Sequence, residues 1–394
     1  MKHIILKINI FSIVFILFTG LIQAQNKQAY SIGEVYQMDS EILKEKREYI
    51  VELPDSYFTS TKKYPLVVLL DGEFNYHSHS GILKHMTQAR QIPEMILVAI
   101  KNVDRVRDYT PTKYLVNLNG TDGTESNKTS GGSKQFLAFL EKELLPKIEN
   151  TYRVNAFKIV VGVSHGGLLV GSSFLSKDTS FTGFISMDPS FWWDHQYIVK
   201  QLEKTDIEQL RNKRLYLTTA DTFENFEGIE HVYQANLNSQ ERFNTELKSK
   251  GFYPGNIEFE YFKEENHWTV ALLSLYHGMQ FMYKDLIMKN MRTSSLEDIK
   301  KYYQTHYNGA FLPPENEINR IGYHYLKTNP EKALAFFKFN VENYPDSWNV
   351  FDSLGEGYLE MNNKKEAVKN YKKSLLLNPN NENAKNAILK LNKQ

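Results

Sequence analysis

Short apolar runs separated by longer amphipathic stretches constrain the fold of this chain more than any other feature. Seven such runs are predicted to be strands, namely Glu48–Pro54, Tyr64–Gly72, Met95–Ile100, Lys158–Ser164, Phe181–Asp188, Arg214–Asp221 and Ile257–Phe262. The central runs are continuously apolar, which is typical of parallel strands buried on both faces. Helix-length segments such as Ser133–Tyr152 lie between the runs, with apolar residues at helical spacing. The alternation predicts an α/β fold with a doubly wound, mostly parallel sheet.

A serine surrounded by glycines follows the fourth run. The residues from Gly162 read Gly-Val-Ser-His-Gly-Gly, and a second apolar run begins immediately afterwards. Glycine is disfavoured inside both strands and helices, so these glycines indicate a tight turn. A Gly-x-Ser-x-Gly sequence between a strand and a helix is typical of a nucleophile elbow, in which strained backbone projects the serine hydroxyl from the sheet edge. Ser164 is therefore the candidate nucleophile, and a glycine-rich turn without chemistry is the alternative.

A serine hydroxyl needs a base, because it is a weak nucleophile at neutral pH. In hydrolases with this elbow, the histidine lies in a loop after the last strand. His267 combines that position with the required chain order, whereas His277 lies inside the predicted following helix. His165 adjoins the nucleophile, and we expect it to line the pocket and to give its backbone N–H to an oxyanion hole.

The acid that would orient the base has several candidates. The usual place is the end of the strand after next from the elbow, which favours Asp221. Asp188 closes the intervening strand, and Glu224 and Glu227 follow in the loop after Asp221. A Ser-His dyad without an acid is a further alternative.

The composition limits the classes of partner. The 394 residues exceed what one core usually serves, so two domains are expected. The 47 Lys and Arg residues balance 46 Asp and Glu residues, so no overall field favours nucleic acid or anionic membrane. The absence of cysteine excludes disulfides, a thiol nucleophile and a Cys-ligated metal site.

The first residues have the pattern of an export signal. Lys2 and Lys7 give a positively charged start, the apolar stretch Ile8–Leu21 follows, and Ala24 supplies a small residue at the expected cut. A membrane anchor would need about 20 apolar residues, and this stretch is shorter. Residues 1–24 are therefore predicted to be a signal peptide, with a periplasmic or secreted mature chain and no membrane span after cleavage.

After about residue 290 the hydrophobic pattern of the sequence predicts helices throughout. Small, aromatic and proline positions recur 34 residues apart, in the pairs Ala333 and Ala367, Phe337 and Tyr371, and Pro345 and Pro379. This pattern resembles the tetratricopeptide repeat, and an ordinary helical bundle is the alternative. We expect a hydrolase domain at 25–290, a linker at 291–313, and two repeats with a closing helix at 314–394. Two repeats fall short of the roughly three needed for independent stability, so they should pack on the hydrolase domain or on another copy, or bind a protein partner.

Several segments together resemble the bacterial Putative esterase family, which includes enterochelin-type siderophore esterases, S-formylglutathione hydrolases, and feruloyl or acetyl-xylan esterases. The resemblance covers roughly Tyr30–Tyr283 and rests on YPLVVLLDGEFNYHS, VAIKNVDRVRDYTPT, GGSKQFLAFLEKELLPKIENTYR, VVGVSHGGLLV, MDPSFWWD and EENHWTVALLSLYHGMQFMY. It implies an α/β-hydrolase fold, Ser164 as nucleophile and His267 as base. It also implies an oxyanion hole made by the backbone N–H groups of His165 and Glu73. No metal or organic cofactor is implied, and because some siderophore esterases of the group are thought to work as dyads, Asp221 stays open.

Four further side chains are candidates for substrate binding. Arg105 and Arg107 follow the strand Met95–Ile100 and so lie at the catalytic edge of the sheet, where an arginine can hold a carboxylate or catecholate oxygen. A structural ion pair, with Asp104 or Asp108, is the alternative. The neighbouring residues Trp192 and Trp193 are expected to form an aromatic wall that binds a sugar or aryl group. The alternative is that both side chains belong to the core.

The sequence therefore predicts a secreted or periplasmic serine esterase that acts on a small-molecule or glycan-linked carboxylic ester. The alternative is a hydrolase fold that has lost catalysis and acts as a binding or scaffold protein through its helical repeats. Nucleic acid is not expected as a partner.

Overall fold

The structure is a computed structural model that describes residues 31–221 and 230–392. An eight-stranded sheet forms the centre of this part of the chain. The strand order is β1-β2-β4-β3-β5-β6-β7-β8. β2 is antiparallel to β4, whereas the pairings from β4 through β3 to β8 are parallel. The strands are β1 (Glu34–Ser40), β2 (Glu45–Glu52), β3 (Tyr64–Leu69), β4 (Ile96–Ile100), β5 (Val154–Val163), β6 (Gly183–Met187), β7 (Arg214–Ala220) and β8 (Ile257–Phe262).

The strands β2 to β8 occupy the seven apolar runs, which confirms the predicted fold class. Only β1 was not expected from the sequence. Its sequence, EVYQMDS, is polar and its side chains are mostly exposed, as is usual at the edge of a sheet. The signal peptide predicted at 1–24 and the acid candidates Glu224 and Glu227 lie outside the described residues.

Helices cover both faces of the sheet. Along β3, Leu66 and Val68 face one core, and Val67 and Leu69 face the other, because successive side chains of a strand point to opposite faces. The covering helices are α1 (Gly72–Gln88), α2 (Arg105–Tyr109), α3 (Ser133–Phe139), α4 (Leu145–Thr151), α5 (His165–Leu175), α6 (Trp193–Lys204), α7 (Glu230–Ser249) and α8 (Val270–Tyr283). The sheet is therefore doubly wound, as the continuous apolar strands predicted.

The chain beyond α8 is all-helical. Its helices are α9 (Leu296–Thr305), α10 (Glu315–Tyr325), α11 (Pro330–Asn343), α12 (Trp348–Glu360), α13 (Lys364–Leu377) and α14 (Glu382–Asn392). Gly322 of α10 lies directly against Phe337 of α11, where a Cβ would come within 2.4 Å of the ring, and Gly355 of α12 lies against Tyr371 of α13, where the corresponding distance is 3.0 Å. The close contact thus recurs with the spacing read from the sequence. Assignment to the tetratricopeptide class stays a prediction.

The helical region packs at the amino ends of the parallel strands. Phe157 of β5 contacts the rings of Tyr307 and Phe311, with centroids 5.0 and 5.6 Å away. The amide of Asn155 donates to the carbonyl oxygen of Ala310. Ser164 follows the opposite end of β5, and at about 3.3 Å per residue it lies roughly 23 Å from Phe157. Among the described residues, no helix is long and apolar enough to span a membrane.

The segment predicted as a linker, 291–313, contains α9. Ile299 and Tyr303 of α9 are buried against Ile318, Ile321 and Phe336 of the first helical pair. The helical region from α9 onward therefore shares one apolar cluster across the predicted boundary at residue 314.

We predict that truncation before Pro314 lowers the melting temperature and solubility but leaves the catalytic rate of any hydrolysis within about twofold. Removal of α10 and α11 exposes the apolar side chains of α9, while the serine at the far end of β5 loses no contact. Calorimetry and hydrolysis of a simple aryl ester by the full and truncated chains measure the two effects. Unchanged stability and oligomeric state would contradict this account of a docked helical region.

Candidate active site

Ser164 occupies a strained turn between β5 and α5. Its backbone lies at φ 59° and ψ −120°, a conformation that is rare for a residue other than glycine. The turn is held by hydrogen bonds at both of its backbone groups: the N–H donates to the carbonyl of Met187, and the carbonyl accepts from the N–H of Ser190. This is the geometry of a nucleophile elbow.

The glycines around Ser164 are required by close packing. A Cβ atom at Gly162 would come within 2.6 Å of the carbonyl carbon of Gly166, and one at Gly167 within 2.8 Å of Cβ of Pro189. A Cβ at Gly166 would lie 3.1 Å from Oδ2 of Asp71. The tight turn that these glycines indicated is therefore present, and close neighbours leave little or no room for a side chain at the three positions.

His267 contacts a buried carboxylate. Its Nδ1 lies 2.6 Å from Oδ2 of Asp188, which is 2% exposed. The other carboxylate oxygen, Oδ1, accepts a hydrogen bond from Nε2 of Gln240 at 3.0 Å and a longer one from Asn236 at 3.5 Å. Two side chains of α7 thus fix the carboxylate in the orientation that meets the imidazole.

The carboxylate that the structure brings to His267 is that of Asp188 and not that of Asp221, which the sequence favoured. Asp188 directly follows β6, whose last residue Met187 pairs with Val163, the residue before the serine. β7, which precedes Asp221, is one strand further from β5. Asp221 instead donates its backbone N–H to Phe262, and its carboxylate is hydrogen-bonded to the hydroxyl of Tyr261.

The serine and the histidine line one pocket. Its volume is about 210 Å³, and it is bounded by Leu118, Ser164, His165, Asp188, Ser190, Trp192, Asn236, His267 and Trp268. Within the described residues Oγ of Ser164 contacts Oγ of Ser190 at 3.4 Å rather than the imidazole. Catalytic hydrogen bonds of this type often tighten only when substrate is bound.

Four pocket residues were not expected from the sequence: Leu118, Ser190, Asn236 and Trp268. The sequence could have indicated Trp268, because this residue directly follows His267. In the structure Trp268 is 79% exposed at the mouth of the pocket. Ser190 likewise lies two residues beyond the candidate acid. Leu118 and Asn236 carry no local signal, since the tertiary fold brings them in from a loop and from α7.

The two predicted oxyanion-hole residues lie at helix starts. His165 is the first residue of α5 and Glu73 the second residue of α1, where backbone N–H groups have no acceptor within the helix. His165 lines the pocket, whereas Glu73 is not among the lining residues. The Glu73 carboxylate accepts hydrogen bonds from the backbone and side-chain amides of Asn102.

The imidazole of His165 is neutral over the working pH range. Burial, reinforced by the positive charge of Arg105, lowers its pKa to about 3. A neutral, buried ring cannot exchange protons near pH 7, so the side chain of His165 is unsuited to general acid or base chemistry. Its contribution is restricted to the pocket wall and the backbone N–H.

Arg105 is anchored beside the elbow. Its Nε and Nη2 donate to the two carboxylate oxygens of Asp71 at 2.7 and 3.1 Å, and Nη2 also donates to the carbonyl of Val163. Although burial opposes the charge, the hydrogen bonds that Arg105 donates to Asp71 raise the pKa of Arg105, so the guanidinium remains charged. The ion pair expected as the alternative is present, but its partner is Asp71 and not Asp104 or Asp108.

The other three substrate-binding candidates lie in three different environments in the structure. Arg107 donates to both carboxylate oxygens of Glu45 and to Asp108, so it belongs to an ion-pair network away from the pocket. Trp193 is 1% exposed and donates its ring N–H to Thr112, which places it in the core. Trp192 alone lines the pocket.

Comparison with known proteins gives one family match. The model of the family described as Putative esterase matches residues 40–274. This span includes the serine, the histidine and the buried carboxylate described above.

Curated relatives and solved structures agree with that match. The chain is 24% identical over 152 residues to the uncharacterized protein YbbA and 28% identical over 155 residues to the ferri-bacillibactin esterase BesA, both of Bacillus subtilis. These matches cover 38% and 36% of this chain, and they span only 59% and 52% of the relatives' length. The IroE-like serine hydrolase of Shewanella oneidensis superposes with a TM-score of 0.66 at 27% identity, over 79% of this chain and 99% of that one.

We predict that Gly162→Ala destabilises the fold by about 3 kcal/mol or more, because overpacking at 2.6 Å from backbone atoms cannot be relieved by a side-chain rotation. Gly81→Ala on α1 is the matched control. No atom lies within 4 Å of a Cβ there, so the change should stabilise the helix by up to about 1 kcal/mol. Urea unfolding of both variants measures the difference. Equal stability of the two variants would contradict the packing argument.

Proposed function

This chain belongs to the Putative esterase family, and on that premise we propose that it is a serine esterase that hydrolyses carboxylic esters through an acyl-enzyme. The observation that carries the proposal is the contact between Nδ1 of His267 and the buried carboxylate of Asp188, in the pocket that also holds Ser164. A carboxylate at Nδ1 holds the proton there and leaves Nε2 free to accept a proton from the serine.

The proposed reaction has two stages. In the first, Oγ of Ser164 attacks the ester carbonyl while Nε2 of His267 takes its proton, and collapse of the tetrahedral intermediate returns that proton to the leaving alcohol. In the second, His267 deprotonates a water molecule, which attacks the acyl-serine, and collapse of this second tetrahedral intermediate releases the acid while His267 returns the proton to Oγ of Ser164. Asp188 stabilises the imidazolium that forms in each stage.

The backbone N–H of His165 is the proposed donor to the oxyanion. It lies at the start of α5, where the helix leaves the N–H without an internal acceptor and the partial positive charge of the helix end favours a developing negative charge. The Asp71–Arg105 pair lies against the elbow. We assign to Arg105 the role of holding the turn in place through the carbonyl of Val163.

The rim of the pocket supports an ester with an aromatic or other planar group as the proposed substrate. Trp192 and the exposed Trp268 border the pocket, and exposed indole rings provide flat apolar surface for stacking. The relative BesA is named for a siderophore ester, so a small siderophore-type ester is the first substrate class to test, ahead of glycan-linked esters.

We further propose that the mature protein is exported. The support is the predicted signal peptide at 1–24, together with a chain that contains no cysteine. Fractionation of expressing cells, with the N-terminus of the mature chain read by mass spectrometry, tests the location.

We predict that Ser164→Ala reduces hydrolysis of a simple aryl ester by about 10⁴-fold or more and abolishes labelling by a serine-directed phosphonate. Ser190→Ala is the matched control, because its hydroxyl lies 3.4 Å from that of Ser164 but is assigned no chemistry. It should retain labelling and activity within about tenfold. Loss of labelling in Ser190→Ala with retention in Ser164→Ala would transfer the nucleophile to the neighbouring residue.

We predict that Asp188→Asn lowers turnover by up to about 10⁴-fold, as loss of the orienting carboxylate does in serine proteases. Asp221→Asn should stay within about tenfold of wild type, because that carboxylate is bonded to Tyr261. Turnover numbers are compared on protein whose circular dichroism matches wild type. The reverse ordering of the two variants would show that the acid acts from β7.

A further inference from the structure

A second cavity, of about 560 Å³, lies at the end of the sheet opposite to Ser164. Phe157 near the start of β5, Thr182 just before β6 and Arg214 at the start of β7 form its sheet side. Lys284, directly after α8, and Tyr307, between α9 and α10, border it on the other side. The cavity therefore lies where the sheet meets the helical region, and it shares no residue with the catalytic pocket.

The charges around this cavity are mostly positive. Four cationic side chains line it, with a single carboxylate, Asp285; the cations are Arg211, Arg214, Lys284 and Lys289. Asp285 pairs with Arg214 at 2.9 Å, and Arg211 pairs with Glu208 at 2.7 Å. Within the described residues Lys284 and Lys289 have no carboxylate within ion-pair distance. Two of the four cations thus have no ion-pair partner among the described residues.

Arg214 has an unused donor. The residue is 8% exposed, its guanidinium lies 4.4 Å above the ring of Tyr307, and Nη2 donates to Asp285. Its Nη1 is buried and has no hydrogen-bond partner in the described part of the chain, and Oγ1 of Thr182 is in the same condition. A buried donor without an acceptor is unfavourable, because folding removes it from water without replacing the hydrogen bond. Both atoms belong to residues that line the cavity.

We propose that this cavity binds a small multivalent oxyanion of the phosphate or diphosphate type. Phosphate oxygens match what the cavity offers, because a guanidinium donates in a fixed planar geometry and lysine ammonium groups add point charges. Arg211 and Arg214 lie on the sheet side, and Lys284 and Lys289 on the segment that follows α8. A bound anion would therefore attach the helical region to the sheet more firmly, and would stabilise the fold at a distance from the proposed catalytic serine.

The test uses the full chain and inorganic pyrophosphate, at an ionic strength held constant with sodium chloride. We expect the melting temperature to rise with pyrophosphate concentration and titration calorimetry to show saturable binding. Lys284→Gln combined with Lys289→Gln should weaken that binding by about tenfold or more, since hydrogen bonds between oppositely charged groups are stronger than those between neutral groups. Both lysines are exposed, so the double variant should fold.

The matched control is Lys365→Gln combined with Lys372→Gln, two exposed lysines of α13 that remove the same net charge away from the cavity. It should bind pyrophosphate as wild type does. A parallel arm measures co-sedimentation with vesicles of phosphatidylglycerol in phosphatidylcholine. Vesicle binding that depends on Lys284 and Lys289, without a response to dissolved pyrophosphate, would assign the site to a phosphoryl headgroup. Absence of both responses, or equal loss in the two double variants, would overturn the proposal.

Discussion

The left-handed backbone of Ser164 is the constraint on which the arrangement of the site depends. That conformation is sustained only because β5 and α5 approach closely at Gly162 and Gly166, where any Cβ would meet backbone or the Asp71 carboxylate. The hydrogen bonds to Met187 and Ser190 attach the turn to the loop after β6. The same loop carries Asp188, so the position of this carboxylate and the strain at Ser164 have one structural origin.

Polar groups around the elbow are buried with partners. Asp188 is shared between His267 and the amides of α7, and Asp71 is shared between Arg105 and Asn102. Burying a charged group is costly unless it is paired and hydrogen-bonded, so these contacts keep both carboxylates in defined orientations. The Asp188 carboxylate contacts the imidazole of His267, and the Asp71 carboxylate holds Arg105 against the turn.

The two ends of the parallel sheet carry different structural features. The carboxyl ends carry the serine, the acid and the aromatic rim, as is usual for open α/β sheets. The amino ends are covered by the helical region through the aromatic contacts of Phe157, and they form one side of the cationic cavity. Since roughly 23 Å of β5 separates them, substitutions at one end should act on the other only through the stability of the sheet.

The sequence by itself determined the strands β2 to β8, the elbow at Ser164 and the selection of His267 as the pocket histidine, because each is encoded by local apolar pattern, glycine placement or chain order. It did not determine which carboxylate meets His267. Asp188 and Asp221 both end buried strands, and only the sheet order, which sets β6 against β5, together with the amides that α7 supplies, separates them. The roles of the adjacent Trp192 and Trp193 were likewise indistinguishable until packing buried one ring and left the other in the pocket. Such choices depend on contacts between residues far apart in the chain, which a local pattern does not encode.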